Sequence, residues 1–404
     1  MTIYKVLFRP LEEYFFGKDG SFSAGVGDAE YFITSHLFPS QTTLFGIMRY
    51  LNLRHLKDRG TYSEQEKEEN VKAIGKKSFC METAIKPENG NKEQDFGIIK
   101  AISGVFLHEH DLQNKVSRIY LPLPKDAKEQ EDSRGYESIF TEGEDIIIDT
   151  LYGKKIIPKE YDAKKGLRHG FISTDAGITD TGKQLHGELK IIDSPFEYVL
   201  KTGLRINQKK QLEGNEKIGF DIVKEPMSSL FKKEYIRLKS EMGRREYSFG
   251  IYVKVEDDKK VETLNRPNRI VGMGLGSSLF KVEIKEVQGE ESNRLHDDLV
   301  LKVDKIFENH PQKEKMVYCI SPCYTENPQN LLDKSQFSSI EIIANRPMSS
   351  GSIDTTWRKE ETLYRMLDAG SVLVAEDLSQ VIKTFDKKGL QQIGYNHYYI
   401  GGKK

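Results

Sequence analysis

The sequence predicts an α+β protein made of two βαββαβ domains. Its 404 residues exceed what one hydrophobic core normally holds. Short apolar runs typical of strands recur in both halves, with only a few helical patterns among them. A fresh strand pattern begins at SPFEYVLKTGLRINQ, so the boundary is placed at residue 195, dividing the chain into 1–195 and 196–404.

The first half begins with an apolar strand at residues 3–8, which the Arg9-Pro10 pair ends. The elements expected after it are a hairpin or extended loop over 11–32, a helix over 40–56 and an exposed charged insertion over 58–72. They are followed by strands within 95–111 broken at Gly97 and Gly104, a strand in RIYLPLPKD and a charged loop over 125–135. Short strands in TEGEDIIIDTLYGKKIIP and a mobile Gly-rich excursion over 159–188 complete this half.

The second half is also rich in strand patterns. The elements expected first are a strand in KKEYIRLKS, a hairpin REYSFGIYVKVEDDKKVETLN with its turn at Glu256–Lys259, a Gly loop at 272–276 and a strand in KVEIKEV. An amphipathic helix in DLVLKVDKIFEN follows, and then strands in MVYCISP, SIEIIAN and SVLVAED. The last elements expected are a helix in LSQVIKTFDKKG and a strand in YNHYYIGG.

The stretch from Tyr31 to Lys57 contains no Asp or Glu. Ser40 stands at the N-cap position, and apolar residues follow at the spacing of one buried helix face: Leu44, Ile47, Met48 and Leu51. A capping box would need Glu or Gln where Thr43 stands. The first-turn N–H groups and the hydroxyls of Ser40, Thr42 and Thr43 therefore predict a phosphate site. An ordinary capped core helix is the alternative.

Charge is distributed unevenly along this nearly neutral chain. Four windows, 31–57, 201–212, 264–282 and 387–404, together hold 14 Lys and Arg and no acid. The remainder carries 47 basic and 62 acidic residues, because the whole chain has 61 and 62. This contrast predicts a local anion-binding surface on an acidic body.

Composition and the chain start exclude several classes. No apolar run approaches the ~20 residues of a membrane helix. The first residues, MTIYKVLFRPL, are typical of a strand and not of a signal peptide. Cys80, Cys319 and Cys323 cannot form a disulfide framework and lack nearby zinc ligands. We expect core or near-core thiols in a cytoplasmic protein.

Gly272, Gly274 and Gly276 lie between two strand patterns. A dinucleotide fingerprint would require a helix directly after them, but LFKVEI is a strand pattern. The loop either lets a phosphate or sugar approach the backbone closely or is a tight strand connection.

The histidines offer two catalytic or metal-binding hypotheses. His108 and His110 share one strand face but lack a third ligand, which favours a solvated strand end. His36 and His397, the latter among tyrosines, would in principle serve a metal-free ribonuclease, although their spacing does not indicate the required geometry. No nucleophile elbow, P-loop or paired-carboxylate motif is present.

About seven blocks, in order, resemble a known family. FRPLEEYFFGKDGSFSAGVGD followed by FPSQTTLFGIMRYL is similar to the N-terminus of subunit three of the type III-B CRISPR effector, the Cmr complex. This family is a Cas-five-like branch of the RAMP superfamily. The other matching blocks are SGVFLHEHD with IYLPLPKD, KTGLRINQKKQLEG with LFKKEYIRL, IVGMGLGSSLFKVEI and DAGSVLVAED.

Three residues depart from the family pattern. Leu275 and Ser277 stand where its Gly loop usually carries an acid and an arginine, so Lys281 or Arg269 would have to supply the charge. Asp368 replaces a family proline.

The resemblance implies two ferredoxin-like (RRM-type) domains with long inserted loops and a β-hairpin, thumb-like, around 244–262. It implies a non-catalytic subunit, without cofactor or metal, that caps the 5′ repeat-derived tag of the crRNA. The implied partners are the large polymerase/cyclase-like subunit and the adjacent backbone and small RAMP subunits. The candidate RNA-binding residues are Ser40, Thr42, Thr43, Arg49, Arg205, Lys209, Lys232, Arg237, Gly272, Gly274, Gly276 and Lys281.

Three alternatives stay open. The chain could be a RAMP-type endoribonuclease that cleaves repeat RNA without metal, using His36 or His397 as base. It could be the equivalent type III-A subunit, or a structural subunit that contacts only proteins. Some of its basic residues would then pair with surface acids.

Overall fold

The computed structural model describes most of the chain. The described residues are 1–17, 31–55, 62–85, 93–129, 135–140, 146–150, 153–157, 164, 166–204, 206–208, 220–222, 230–240, 244–256, 269–274, 277–311, 316–325, 340–341, 348–349, 358–359, 364, 366–374 and 378–401.

Strands dominate these residues. In chain order they are β1 (Thr2–Pro10), β2 (Phe16–Gly17), β3 (Tyr31–Ile33), β4 (Ser35–His36), β5 (Ile99–Ile102), β6 (Phe106–Asp111), β7 (Val116–Pro122), β8 (Ile146–Thr150), β9 (Gly153–Ile157), β10 (Phe171–Ser173), β11 (Ile178–Thr179), β12 (Ile191–Ile192), β13 (Phe196–Leu204), β14 (Ile206–Gln208), β15 (Phe220–Ile222), β16 (Leu230–Leu238), β17 (Arg245–Val255), β18 (Arg269–Met273), β19 (Ser278–Glu286), β20 (Met316–Cys319), β21 (Cys323–Tyr324), β22 (Ile340–Glu341), β23 (Met348–Ser349), β24 (Arg358–Lys359), β25 (Met366–Leu367), β26 (Val372–Val374) and β27 (Tyr398–Ile400).

The helices are few and short. They are α1 (Gln41–Leu51), α2 (Glu64–Ile74), α3 (Met81–Ile85), α4 (Ser379–Phe385), α5 (Lys388–Gln391) and a 3-10 helix (Gly289–Arg294). The α+β class is therefore confirmed: a large antiparallel sheet is combined with a small number of helices.

The main sheet has ten strands in the order β12-β10-β7-β6-β17-β1-β19-β18, with β5 beside β17 and β11 beside β7. The predicted strand at 3–8 is β1, and it lies inside this sheet, antiparallel to β17 and β19. Its side chains alternate between two cores, as strand geometry requires. Val6 and Phe8 pack in the core on the α1 side, and Leu7 packs in the core on the opposite face.

The main sheet and a smaller sheet each contain a split β-α-β arrangement. In the main sheet β1 and β6 are both antiparallel to β17, which separates them, and α1 lies between β1 and β6 along the chain. In the smaller sheet β26 and β27 are both antiparallel to β20, and α4 and α5 lie between them along the chain. Such a unit is the recurring half of a βαββαβ sheet.

A second antiparallel ribbon is formed by β13 and β16, whose nine residue pairs run from Phe196 opposite Leu238 to Leu204 opposite Leu230. The parallel strand β3 pairs with the other edge of β16. At the inner end of the ribbon Phe196, Ile236 and Leu238 are buried in the main core.

The charged segment 58–72 was expected to be an exposed insertion, and its described residues 62–72 are exposed or half-buried except for Asn70, but they form most of a helix that was not predicted. Helix α2 starts there with a complete capping box, in which Ser63 accepts from the Glu66 N–H and the Glu66 carboxylate accepts from the Ser63 N–H. Its narrow buried face contains Asn70, Ala73 and Ile74. Asn70 also accepts, through Oδ1, from the N–H groups of Arg54 and His55 after α1.

Two further segments differ from the prediction. The helix expected in DLVLKVDKIFEN is absent from these residues, which form turns and an isolated bridge between Leu295 and Leu301. Leu299 there has φ +66°, outside the helical region. The excursion over 159–188 is not a detached loop, because β10 and β11 pair with β7 in the main sheet.

The first strand of the hairpin predicted at 245–265 is present as β17, but it lies inside the main sheet and not in a projecting thumb. β17 is a central strand between β1 and β6 and is buried along most of its length. Residues 257–268, which include the rest of that hairpin, lie outside the described residues. The main sheet takes strands from both sides of residue 195, and the division into two domains stays a prediction.

Candidate nucleic-acid interface

The short segment Tyr14–Phe16 contacts three of the elements that the sequence selected. Tyr14 exchanges two backbone hydrogen bonds of 2.9 Å with Ile236 of β16. Its hydroxyl donates to the Leu37 carbonyl, 2.9 Å away, just before α1. The Phe15 carbonyl oxygen lies against Gly274, 2.3 Å from the point where a Cβ would stand. The β16 strand, the Gly hairpin and the approach to α1 are therefore neighbours.

A set of lysines lies on aromatic rings beside this segment. We call Glu13, Phe15, Lys201, Lys233, Tyr235 and Arg237 the lysine–aromatic face. The Lys201 Nζ atom is 4.7 Å from the Tyr235 ring centroid, and the Lys233 Nζ atom is 4.7 Å from that of Phe15. Lys201 and Lys233 stand opposite each other on β13 and β16. Cation–π contacts offset the repulsion expected between like charges at such a pair.

Glu13 is the carboxylate of this face. It accepts a hydrogen bond from Lys201 Nζ at 3.2 Å and a short one from Arg237 Nη2. These two bonds lower the pKa of Glu13 to about 2, and the bond from Arg237 has the larger effect. Arg237 also has its Nη1 atom 3.9 Å from a Glu197 oxygen. The candidate Arg237 is thus paired with acids, as the sequence reasoning allowed for some basic residues.

The start of α1 is built as the sequence indicated. Ser40 is the N-cap, its Oγ accepts from the Thr43 N–H at 3.2 Å, and the first turn contains no acid. The Thr42 and Thr43 hydroxyls are 3.0 and 2.8 Å from that Oγ, so the three hydroxyls hydrogen-bond among themselves. Gln41 is buried and donates to the carbonyls of Ser103 and Gly394. The helix start is therefore fixed to the body of the protein.

Arg49, at the other end of α1, is held by hydrogen bonds within the protein. Its guanidinium donates to the Ile74 carbonyl at 3.0 Å and to Ser78 Oγ at 2.9 Å. Burial lowers the pKa of Arg49 to about 10. Arg269, the proposed substitute for a loop arginine, donates to the Leu51 carbonyl at 3.0 Å. Both cations therefore bind backbone carbonyls around the C-terminal half of this helix.

Gly272 and Gly274 lie at the end of β18, where it pairs with β19 in a β-hairpin, so a strand connection is present here, and close approach of a phosphate or sugar stays a prediction. Gly274 has φ +78°, a conformation that side chains rarely adopt, whereas Gly272 is exposed without such a φ. Lys281 lies on β19 and pairs with Glu283 at 3.0 Å. Phe15 thus links the hairpin to the lysine–aromatic face.

Of the four remaining candidates, the structure describes one. Lys232 is half-buried on β16, on the opposite side of the ribbon from its neighbour Lys233. Arg205, Lys209 and Gly276 lie outside the described residues.

The four histidines of the catalytic and metal-binding hypotheses lie in different environments. His397 is buried, its Nδ1 accepts from the Gly104 N–H at 3.3 Å, and its Nε2 lies 3.0 Å from the Gln391 carbonyl. Burial also lowers the pKa of His397. The expected solvated strand end is wrong for His108, which is buried within β6, whereas the half-buried His110 pairs with Asp180 at 3.1 Å. His36 lies on β4, opposite Phe16.

Within the part of the chain that the structure describes, no group of three or more His, Cys, Asp or Glu is arranged to hold a metal ion. None of the described helices is long and apolar enough to cross a membrane. The three cysteines are free, and Cys319 and Cys323 are buried, as expected.

The sequence reasoning missed Glu13, Lys201, Lys233 and Tyr235. The alternation in KKEY does place Lys233 and Tyr235 on one face of a strand. Their partners Lys201 and Phe15 are set by the β13–β16 register and by the contact of residue 14 with β16. That register cannot be inferred from one strand alone.

Residues 6–403 match the family described as CRISPR-associated protein (Cas_Cmr3). The chain belongs to this family. No curated protein matches this Cmr3-family chain. Two solved chains are similar to it: one from a cryo-EM structure of the type III-B Cmr-beta bound to cognate target RNA, and one from that assembly with AMPPnP, state 1. They are 12% and 13% identical to it, with TM-scores of 0.43 and 0.42. The alignments cover 97% of this chain and 95% and 94% of those chains.

Proposed function

We propose that this Cmr3-family chain is a cytoplasmic, non-catalytic subunit of a type III-B CRISPR effector that binds and caps the 5′ repeat-derived tag of the crRNA. It docks on the large polymerase/cyclase-like subunit and on the adjacent backbone and small RAMP subunits. The observation that carries the proposal is the juxtaposition of the Gly274 hairpin with the lysine–aromatic face, in a chain of this family.

The chemistry of this surface suits a single RNA strand. Lysine ammonium groups and Arg237 attract phosphates, and Tyr235 offers a ring on which a base can stack. The exposed Gly272 has no side chain, so a sugar-phosphate backbone can approach the hairpin closely. These contacts recognise the sugar-phosphate backbone and the faces of the bases, and they do not require a particular base sequence.

The two ferredoxin-like domains are part of the proposal. The split β-α-β units around β17 and around β20 support one such domain near each end of the chain.

The absence of catalysis is also proposed, and the environment of His397 supports it. A general base needs a ring nitrogen available for the 2′-OH proton. Both ring nitrogens of His397 are engaged with the protein, and its side chain is buried.

Binding of labelled RNA to the full chain tests the proposal. RNA that carries the repeat-derived tag at its 5′ end should bind more tightly than the same RNA with the tag moved to its 3′ end. The reason is that a cap recognises a chain terminus and backbone contacts alone do not. Equal affinities for the two RNAs would contradict tag capping.

A second measurement addresses catalysis and docking. Repeat RNA incubated with the chain and a chelator should stay intact, and cleavage that His36→Ala abolishes would establish the endoribonuclease instead. Co-expression with the large subunit should yield a complex that survives size-exclusion chromatography.

A further inference from the structure

We propose that Lys201, Lys233 and Arg237 bind phosphodiesters of single-stranded RNA, and that Glu13 is the internal counter-ion that a bound phosphate replaces. The inference rests on the proposed function and deepens it, because it names Glu13, Lys201 and Lys233, which were not among the candidate residues predicted from the sequence.

The two lysines are held in position before any ligand arrives. Lys201 Nζ lies over Tyr235, and Lys233 Nζ lies 4.7 Å from the centroid of the Phe15 ring and 6.0 Å from that of Tyr235. Phe15 is fully buried beneath this arrangement, so its ring is a fixed platform. A lysine that is already ordered loses less conformational entropy when it binds a phosphate.

Glu13 occupies the position of an anion on this face. Its Oε2 atom accepts from Lys201 and its Oε1 atom accepts from Arg237, so one carboxylate bridges two cations from different strands. The carboxylate's depressed pKa keeps it charged throughout the physiological range. About half of the Lys201 and Arg237 side-chain surface is exposed, which leaves both cations accessible from solvent.

A phosphodiester can take over both hydrogen bonds of Glu13. It presents two anionic oxygens, and guanidinium binds phosphate in the same forked geometry as carboxylate. The displaced Glu13 carboxylate then turns to water, which costs little because the group lies at the surface. Glu13 therefore weakens RNA binding while it keeps the cations ordered in the free protein.

RNA is favoured over an acidic protein segment because of the aromatic residues. Lysines that alternate with Tyr235 on one ribbon face provide charge and a stacking surface together, the combination used for single-stranded nucleic acid. The face also continues through Phe15 to the Gly274 turn, which Phe15 contacts and where Gly272 and Gly274 are exposed.

The test compares variants of the full chain in binding to oligouridine over about 50 to 200 mM salt. Glu13→Gln keeps the acceptor oxygen but removes the competing charge, and it should tighten binding about fivefold, as expected for one freed contact. Lys201→Ala with Lys233→Ala should reduce the slope of log affinity against log salt by about 1.4, at ~0.7 per phosphate contact.

The matched control is Glu64→Gln, which breaks a similar exposed ion pair with Lys67 on α2, away from the face. It should change the affinity by less than about twofold, since it alters only the net charge. Unfolding midpoints of all variants identify any that fail to fold. If the lysine variants fail to fold, the affinity of the conservative Glu13→Gln variant decides whether the inference holds.

An unchanged or weakened affinity of folded Glu13→Gln would overturn the inference, as would binding of polyglutamate in preference to oligouridine. The outcome is distinguishable from failure of the proposed function. If tag position affects binding but Glu13→Gln does not, only this inference fails. If Glu13→Gln behaves as expected but tag position has no effect, tag capping fails.

Discussion

His108 shows how one buried residue can make the stability of the whole protein depend on pH. Its side chain is only 4% exposed, and among the described residues its Nε2 atom has no hydrogen-bond partner. Burial lowers the pKa of His108 well below its usual value, and the nearby charges of Lys5 and Arg294 lower it further. His397 has a pKa that burial shifts in the same direction.

The sign of the effect follows from proton binding in the two states. Below about pH 6.5 these histidines bind protons in the unfolded chain but not in the folded protein. Stability is therefore fully present above that pH and falls as the pH is lowered, by up to about 1.4 kcal/mol per pH unit for each histidine. Urea unfolding between about pH 7.5 and pH 5.5 measures this.

His108→Asn should remove about half of this pH dependence, because one of the two histidines whose pKa burial lowers is lost. The exposed His186→Asn is the control and should leave the dependence in place. If the stability of the parent chain were flat across this range, the buried histidines would have to be protonated when folded.

At the scale of elements, the β18–β19 hairpin combines a turn with a packing contact. Gly274→Ala should cost about 2 kcal/mol or more, because φ +78° strains a side chain and the new Cβ would stand 2.3 Å from the Phe15 carbonyl. The nearest atom to a Cβ at Gly272 is Ser277 Cβ, at 3.1 Å, and Gly272 has no positive φ, so Gly272→Ala should cost clearly less. Urea unfolding midpoints of the two variants measure the difference, and equal costs would contradict the packing role of Gly274.

The same elements show what the sequence could and could not predict. The cap and buried face of α1 were predictable, because Ser40 and the spacing of Leu44, Met48 and Leu51 are local signals. The capping box of α2 was equally local, but its Glu-rich surface resembled a charged loop.

Other features depend on distant partners. In 298–309 the buried Leu299, Leu301 and Val303 alternate with exposed or half-buried residues. Together with the following Ile306 and Phe307, they have a spacing that is also compatible with the apolar face of a helix, which is why a helix was predicted. The lysine–aromatic face likewise depends on the pairing of β13 with β16, and on Tyr14 lying beside Ile236. Local pattern does not specify such registers.

At the scale of the whole molecule, strand order makes the two halves interdependent. Every residue of β1 pairs with β17 or β19, which come from beyond residue 195. A fragment of residues 1–195 would leave β1 without either neighbour. We expect this fragment to lack cooperative unfolding and slow hydrogen exchange at β1, while the full chain has both. A cooperatively folded fragment would show that the predicted N-terminal domain is independent.

This placement of β1 has a consequence during synthesis. A ribosome completes β1 at Pro10 but reaches the end of β19 only at Glu286. At ~5–20 residues per second, the apolar first strand waits roughly 15 to 60 seconds for its second neighbour. Throughout that interval the nascent chain needs a chaperone or a temporary partner to cover a segment whose five central residues are buried in the finished protein.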